Sequence, residues 1–146
     1  MGNYITRTDV EARLRRSFET LYTLPGESAV DVTLVDADIE AAEGTVDGYL
    51  AKRYLVPITD AQALRLCKAW ALVLCEELAY GAVPGRELPE SVSTRAAAAR
   101  QQLGDAADGK MLLGAATTVA EASDASGCIV VAGDEPVMTR ATMQGF

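Results

Sequence analysis

The sequence has no histidine, and its 21 acidic residues outnumber its 13 Lys and Arg residues, for a formal net charge of −8 at pH 7. The lack of histidine removes the commonest general base and the commonest metal ligand. The shortage of basic residues argues against a nucleic-acid-binding protein, because such proteins neutralise phosphates with clustered positive charge. Any function must therefore come from carboxylates, cysteines, backbone groups or molecular shape.

Cysteines and long apolar runs are also scarce. The three cysteines are Cys67, Cys75 and Cys128, an odd number without the spacing of a disulfide framework. Cys67 and Cys75 fall on one predicted helix, where a separation of about 12 Å exceeds the reach of a disulfide. We therefore predict buried free thiols in a reducing compartment. Residues 1–10 lack the apolar segment of a signal peptide, and the apolar run 69–75 is too short to span a bilayer, so we expect a soluble intracellular protein.

Helical periodicity is the main feature that the sequence does have. At 146 residues, of which 49% are hydrophobic, the chain has room for one domain with one core. Apolar residues recur three and four positions apart in three segments, and a fourth segment contains the alanine run 96–99 of high helix propensity, which together predict an all-α fold, a small bundle of about four helices. The predicted helices run from Thr8 to just before Leu24, from about Thr33 to Tyr54, from Asp60 to Tyr80, and from Glu90 or Ser91 to Leu103.

Capping residues and glycines refine these boundaries. Thr8 and Glu11 have the spacing of a capping box, in which each side chain bonds the backbone N–H group of the other residue. Gly81 predicts the end of the third helix. Gly44 and Gly48 each weaken the second helix by about 1 kcal/mol relative to Ala, which suggests close packing against a neighbour.

The composition changes after Gly104. Residues 115–146 are rich in Ala, Ser, Thr and Gly, and within them only 128–131 has the pattern of a strand. We predict a helical domain over 1–114 and an extended C-terminal arm over 115–146, with room for a short strand or hairpin. Such a segment buries little surface by itself, so it is either a mobile tail or an arm that orders against a partner.

Two segments resemble ligand-binding motifs without meeting their requirements. Residues 104–110 match most of the phosphate-loop pattern GxxxxGK, but Met111 replaces the Ser or Thr that would hold magnesium. A calcium loop beginning at Asp36 would need a glycine where Ala41 stands. A serine nucleophile would lack a histidine base. We therefore expect no enzyme, no cofactor and no metal site.

Four carboxylates recur along the predicted second helix. Asp36, Glu40, Glu43 and Asp47 fall at positions i, i+4, i+7 and i+11. Helical geometry spreads them along the axis instead of converging them on one ion. They are predicted to form a solvated acidic stripe.

Two stretches of the sequence carry a resemblance to a known family. Residues 4–11 read YITRTDVE, and residues 46–58 read VDGYLAKRYLVPI, in which the string Tyr-Leu-x-x-Arg-Tyr-x-x-Pro is distinctive. In order and spacing, residues 4–80 resemble the Mu-type family of tailed-bacteriophage head–tail connector proteins, which are also called neck or adaptor proteins.

The resemblance implies a connector domain over 1–114 that forms a homo-oligomeric ring of roughly twelve copies. The ring would lie between the portal protein and the tail, tail-terminator or stopper protein, in the neck of a virion assembled in the cytoplasm of the bacterial host. The arm over 115–146 would bridge to a neighbouring copy or to the portal, without specific nucleic-acid binding or membrane contact. The predicted assembly residues are Tyr49, Arg53, Tyr54, Trp70, Met138, Arg140, Met143 and Phe146.

In such a ring the acidic stripe would face the lumen and let duplex DNA slide, because it does not attract phosphates. Solubility of the unassembled subunit is the other explanation for the stripe. Arg53 would pair with a carboxylate, across the subunit boundary or not, unless it is a surface residue beside Tyr49. Two other functions stay open: a monomeric helical adaptor or regulatory protein that binds one protein partner through the third helix, and a carboxylate-dependent enzyme.

Overall fold

The computed structural model describes residues 2–83, 85 and 87–120, and within these residues the chain forms five helices and no strand. The helices are α1 (Arg7–Leu14), α2 (Ser17–Tyr22), α3 (Val32–Leu50), α4 (Ala61–Gly81) and α5 (Glu90–Ala107). The prediction of a small all-α bundle is confirmed. The strand-like segment 128–131 lies outside the described residues.

The predicted first helix is two helices. Arg15 has a φ of 50°, which interrupts the helix, and α2 begins two residues later. The capping box also lies earlier than predicted: Thr6 caps α1, and the carboxylate of Asp9 accepts a hydrogen bond of 3.0 Å from the N–H group of Thr6. The prediction of a cap at Thr8 was wrong, because Thr8 lies inside the first turn of the helix.

Helix α3 begins after Asp31, whose carboxylate accepts a hydrogen bond of 2.8 Å from the N–H group of Thr33. It ends at Leu50, before the predicted end at Tyr54. Tyr54 instead forms an isolated antiparallel bridge with Thr118. Residues 51–53 therefore form a turn after α3, and the chain at Tyr54 then pairs with the residues that follow α5.

Helix α4 is the centre of the bundle, and it packs against α1, α2, α3 and α5. Asp60 caps its first turn by accepting a hydrogen bond of 2.9 Å from the N–H group of Ala63. The buried side of α4 supplies much of the core, in Ala63, Cys67, Trp70, Ala71, Leu74, Cys75 and Ala79. The predicted third helix is confirmed nearly to its ends, although Gly81 is its last residue and not the residue after it.

Helix α5 extends beyond its predicted end at Leu103, because Ala106 and Ala107 are also buried. Gly109, with a φ of 76°, follows the helix in the left-handed conformation that glycine adopts without strain. The region that partly matches a phosphate loop is thus the last turn of a helix and the turn after it.

The first residues after 114 pack against the helical domain. Ala116 is buried. The N–H group of Leu55 donates to the carbonyl of Thr117 at 3.0 Å, and that of Val119 donates to the carbonyl of Arg53 at 2.8 Å. These two bonds hold the first residues of the predicted C-terminal arm against the bundle.

Candidate assembly surface

Glu43 holds the N-terminal segment onto α3. Its carboxylate is buried and accepts hydrogen bonds from three consecutive backbone N–H groups, those of Asn3 (2.6 Å), Tyr4 (2.7 Å) and Ile5 (2.8 Å). Hydrogen bonds to an ionised acceptor are about twice as strong as neutral ones. The prediction that Glu43 lies on a solvated face was wrong, because the N-terminal segment covers it.

Two other members of the predicted acidic stripe also have partners. The hydroxyl of Tyr4 donates to Asp47 and accepts a hydrogen bond of 2.9 Å from the N–H group of Ile58. Burial raises the pKa of Asp47 above its ordinary value. Asp36 accepts from the Nε atom of Arg7 at 2.6 Å, and this hydrogen bond lowers the pKa of Asp36.

Glu40 is the one member of the stripe that is exposed and has no ion pair within the described part of the chain. The four carboxylates therefore do not form one continuous solvated surface. The lumen-facing role stays a prediction, and Glu40 is the residue best placed for it.

Arg53 was predicted to pair with a carboxylate, and none of the described residues provides one. Its Nε atom is buried and has no hydrogen-bond partner among them. The guanidinium carbon lies 6.0 Å from the centre of the Tyr54 ring. The guanidinium also packs so closely against Gly109 that a Cβ atom at position 109 would collide with Nη1 of Arg53.

Two of the aromatic residues predicted at an interface lie in the core instead. Tyr54 and Trp70 are each 3% exposed. The indole N–H group of Trp70 donates to Gln102 at 2.8 Å, and the hydroxyl of Tyr54 accepts from the N–H group of Leu113 at 3.4 Å. As contact residues these two predictions were wrong, because the side chains pack inside the subunit. Tyr49 is 38% exposed and stays a candidate.

The remaining predicted contact residues, Met138, Arg140, Met143 and Phe146, lie outside the described residues. The two cysteines of α4 are confirmed as buried free thiols, and burial raises the pKa of both Cys67 and Cys75 to about 12. Cys128 lies outside the described part. Within that part, no three His, Cys, Asp or Glu side chains converge as metal ligands.

The family model described as "Bacteriophage Mu, Gp36" matches residues 4–132, which is most of the chain. The chain belongs to this family. A comparison with curated proteins finds no match.

Membership of the Mu Gp36 family indicates a structural or virion-related role in a phage. The resemblance drawn from residues 4–11 and 46–58 is thus confirmed as far as a Mu-type phage protein. The match includes all five helices and continues past the predicted domain boundary at 114. Among the described residues of this family member, no helix is both long enough and apolar enough to cross a membrane.

The sequence did not reveal the buried carboxylate that joins three helices of this Mu Gp36 family member. Glu76 on α4 is 8% exposed, and it accepts hydrogen bonds from Arg13 on α1 at 3.0 Å and from Arg95 on α5 at 3.1 Å. Its neighbour Glu77 pairs with Arg100 on α5. The helical pattern alone places Glu76 on the polar side of α4, so no signal in the sequence distinguished it from a surface acid.

A second feature that sequence reasoning missed is a group of exposed apolar side chains around Tyr54. Leu112 is 70% exposed, Leu55 50% and Val119 45%. Leu55 follows Tyr54 in the chain. Leu112 precedes Leu113, whose N–H group bonds the hydroxyl of Tyr54, and Val119 follows Thr118, the bridge partner of Tyr54. We call these three residues the arm-base group, because they lie at or beside the first residues of the predicted C-terminal arm.

Proposed function

We propose that this protein is a head–tail connector, a neck protein that forms a cyclic ring of roughly twelve copies between the portal protein and a tail, tail-terminator or stopper protein. Membership of a phage Mu family supports the viral setting. The proposed role is structural and not enzymatic, and it needs no cofactor. Its place is the neck of the virion, after assembly in the host cytoplasm.

The observation that carries the proposal is the arm-base group. Large apolar side chains that are exposed together mark surfaces that contact another protein. Leu55, Leu112 and Val119 are exposed and adjoin in the chain either Tyr54 or a residue bonded to it, while Tyr54 itself belongs to the core of the described helices. A subunit that covers such a surface only after assembly suits a ring with many identical contacts.

The charge of the chain supports the passage of DNA through such a ring. A formal net charge of −8 disfavours attachment to phosphates, so a duplex would not be retained by the wall of a channel. The exposed Glu40 is the residue of the predicted stripe that can present this charge to a lumen. Specific nucleic-acid binding is therefore not part of the proposal.

Light scattering measures the mass of the full chain in solution. Electron microscopy images the protein alone and with the portal protein, and a label locates the protein in intact virions. The expected result is a ring, and label at the neck. Leu112→Ser should reduce assembly strongly, while Leu24→Ser, a matched exposed leucine of the α2–α3 connection, should not. A stable one-to-one complex with a single partner and no ring under any condition would instead identify a monomeric adaptor.

A further inference from the structure

Arg53 has a positive charge that no described residue neutralises. The ion pairs within the described residues include the adjacent Lys52, which bonds Asp108 at 2.6 Å, but none includes Arg53. The Nε atom is also buried without an acceptor. Buried N–H donors are nearly always bonded, so an unbonded one calls for an explanation.

The side chain is held in place by its surroundings. The backbone of Arg53 is bonded at both its groups, its N–H to Leu50 at 2.9 Å and its carbonyl to Val119 at 2.8 Å. The guanidinium lies beside the ring of Tyr54 and against Gly109. A cation fixed in this way is ready to bind, because little side-chain freedom remains to be lost.

The guanidinium lines an open depression of about 260 Å³ beside the first residues of the predicted arm. Lys52 and residues 118–120 form the rest of its lining. The arm-base residue Val119 thus belongs to the same surface as the unpaired guanidinium. A partner that covers the apolar side chains there would also reach Arg53.

We propose that the guanidinium of Arg53 binds a carboxylate side chain of a second copy of this chain, an inference that rests on the proposed ring. The planar guanidinium fork matches a carboxylate in shape and charge. In a ring each copy presents two different surfaces to its two neighbours, so one surface can carry the arginine and the other the acid. A second copy has eight more acidic than basic residues, so it offers carboxylates in excess. One of these carboxylates is the exposed Glu40, which has no ion pair among the described residues. The phosphates of DNA are disfavoured by the same net charge.

The first experiment compares assembly of the full chain carrying Arg53→Gln with that carrying Arg65→Gln. Arg65 is an exposed residue of α4 without an ion pair among the described residues, so its variant is matched in charge. Arg53→Gln should raise the protein concentration needed for half-assembly at least tenfold, and Arg65→Gln less than twofold. Circular dichroism and urea unfolding check that both variants are folded.

Assembly of Arg53→Gln at the wild-type concentration would overturn the inference and leave the proposed ring intact. Failure of the wild-type chain to assemble would overturn the proposed function and the inference with it. Unchanged assembly with weaker binding of a short DNA duplex would assign the guanidinium to phosphate, and this too would overturn the inference.

The second experiment identifies the carboxylate. In rings of Arg53→Lys formed from a mixture of ¹⁵N-labelled and unlabelled chains, a carbodiimide joins the amine at position 53 to any carboxylate in contact with it. Mass spectrometry should find mixed-isotope peptides in which position 53 is joined to an Asp or Glu of the other copy. Linkage of position 53 only within one chain, or no linkage there while Lys52 is joined to Asp108, would overturn the inference.

Discussion

The Oε1 atom of Glu43 accepts backbone hydrogen bonds from both Tyr4 and Ile5, at 2.7 and 2.8 Å. A carboxylate in the middle of α3 is therefore stabilised by backbone N–H groups, and no basic side chain among the described residues forms an ion pair with it. The arrangement also buries Ile5 completely and leaves Tyr4 only 7% exposed. The N-terminal segment is thus part of the core.

Replacing Glu43 by Gln should lower the free energy of unfolding by about 2 kcal/mol, because the ionised acceptor of several buried N–H groups is lost. Urea unfolding measures the effect. Glu40→Gln on the exposed face of the same helix is the matched control and should change stability by less than about 0.5 kcal/mol. Equal effects of the two substitutions would show that Glu43 does not hold the N-terminal segment in solution.

Gly44→Ala should raise the free energy of unfolding by about 0.5–1 kcal/mol, since it removes backbone freedom from the unfolded chain. A Cβ atom at this position meets no other atom within 4 Å. Gly109→Ala should have the opposite sign, because its φ is 76° and the added Cβ would collide with Arg53. Thermal unfolding measures the stability of both variants. Destabilisation by Gly44→Ala would contradict the open space that surrounds Gly44 on α3.

Asp38→Asn should stabilise the protein at neutral pH. Burial raises the pKa of Asp38, although the hydroxyl of Tyr22 donates to it at 2.9 Å. The stability that Asp38 contributes is therefore fully present below the ordinary pKa of an aspartate. This contribution is lost as the pH rises through the raised pKa of Asp38 in the folded state. The gain from the substitution should therefore shrink as the pH falls, and urea unfolding between pH 3 and pH 7 measures it.

Asp36→Asn provides the contrast to Asp38→Asn. The hydrogen bond from Arg7 lowers the pKa of Asp36, so the stability that it contributes is present at neutral pH and is lost as the pH falls through the lowered pKa. This substitution should destabilise the protein at pH 7 and have little effect in acid. Parallel pH profiles for the two variants would contradict the assigned environments.

Cys67 and Cys75 should resist thiol reagents in the folded protein. Burial raises their pKa values from 9.0 to about 12, which at pH 8 leaves roughly a thousandfold less thiolate. In a Cys128→Ser background, the release of thionitrobenzoate from Ellman's reagent should be slow until guanidinium chloride unfolds the chain. Rapid reaction of two thiols without denaturant would show that α4 is not buried as described.

The sequence was sufficient to locate α3 and α4, because each has a sustained apolar face of helical period, and α5, because the alanine run 96–99 has high helix propensity. It did not predict the break at Arg15, since neither glycine nor proline marks it. The sequence also did not decide whether an aromatic side chain lies in the core or at an interface. The same apolar surface suits an interface or a core, and Trp70 lies in the core because Gln102 satisfies its indole N–H group.

The partners of Glu43 were also beyond sequence reasoning. They are backbone N–H groups 38 to 40 residues earlier in the chain, and such groups have no side-chain signature. Arg53, in contrast, does have a signal in the sequence. Its motif identified it as notable, and in the structure no described residue bonds its buried Nε atom.

The close packing of Arg53 on Gly109 constrains how these two positions can change among relatives. A side chain at 109 would occupy the space of the guanidinium, so it requires a smaller residue at 53. A chain that keeps the arginine must keep a glycine opposite it. In an alignment of homologues the two positions should therefore co-vary, although 55 residues lie between them in the chain.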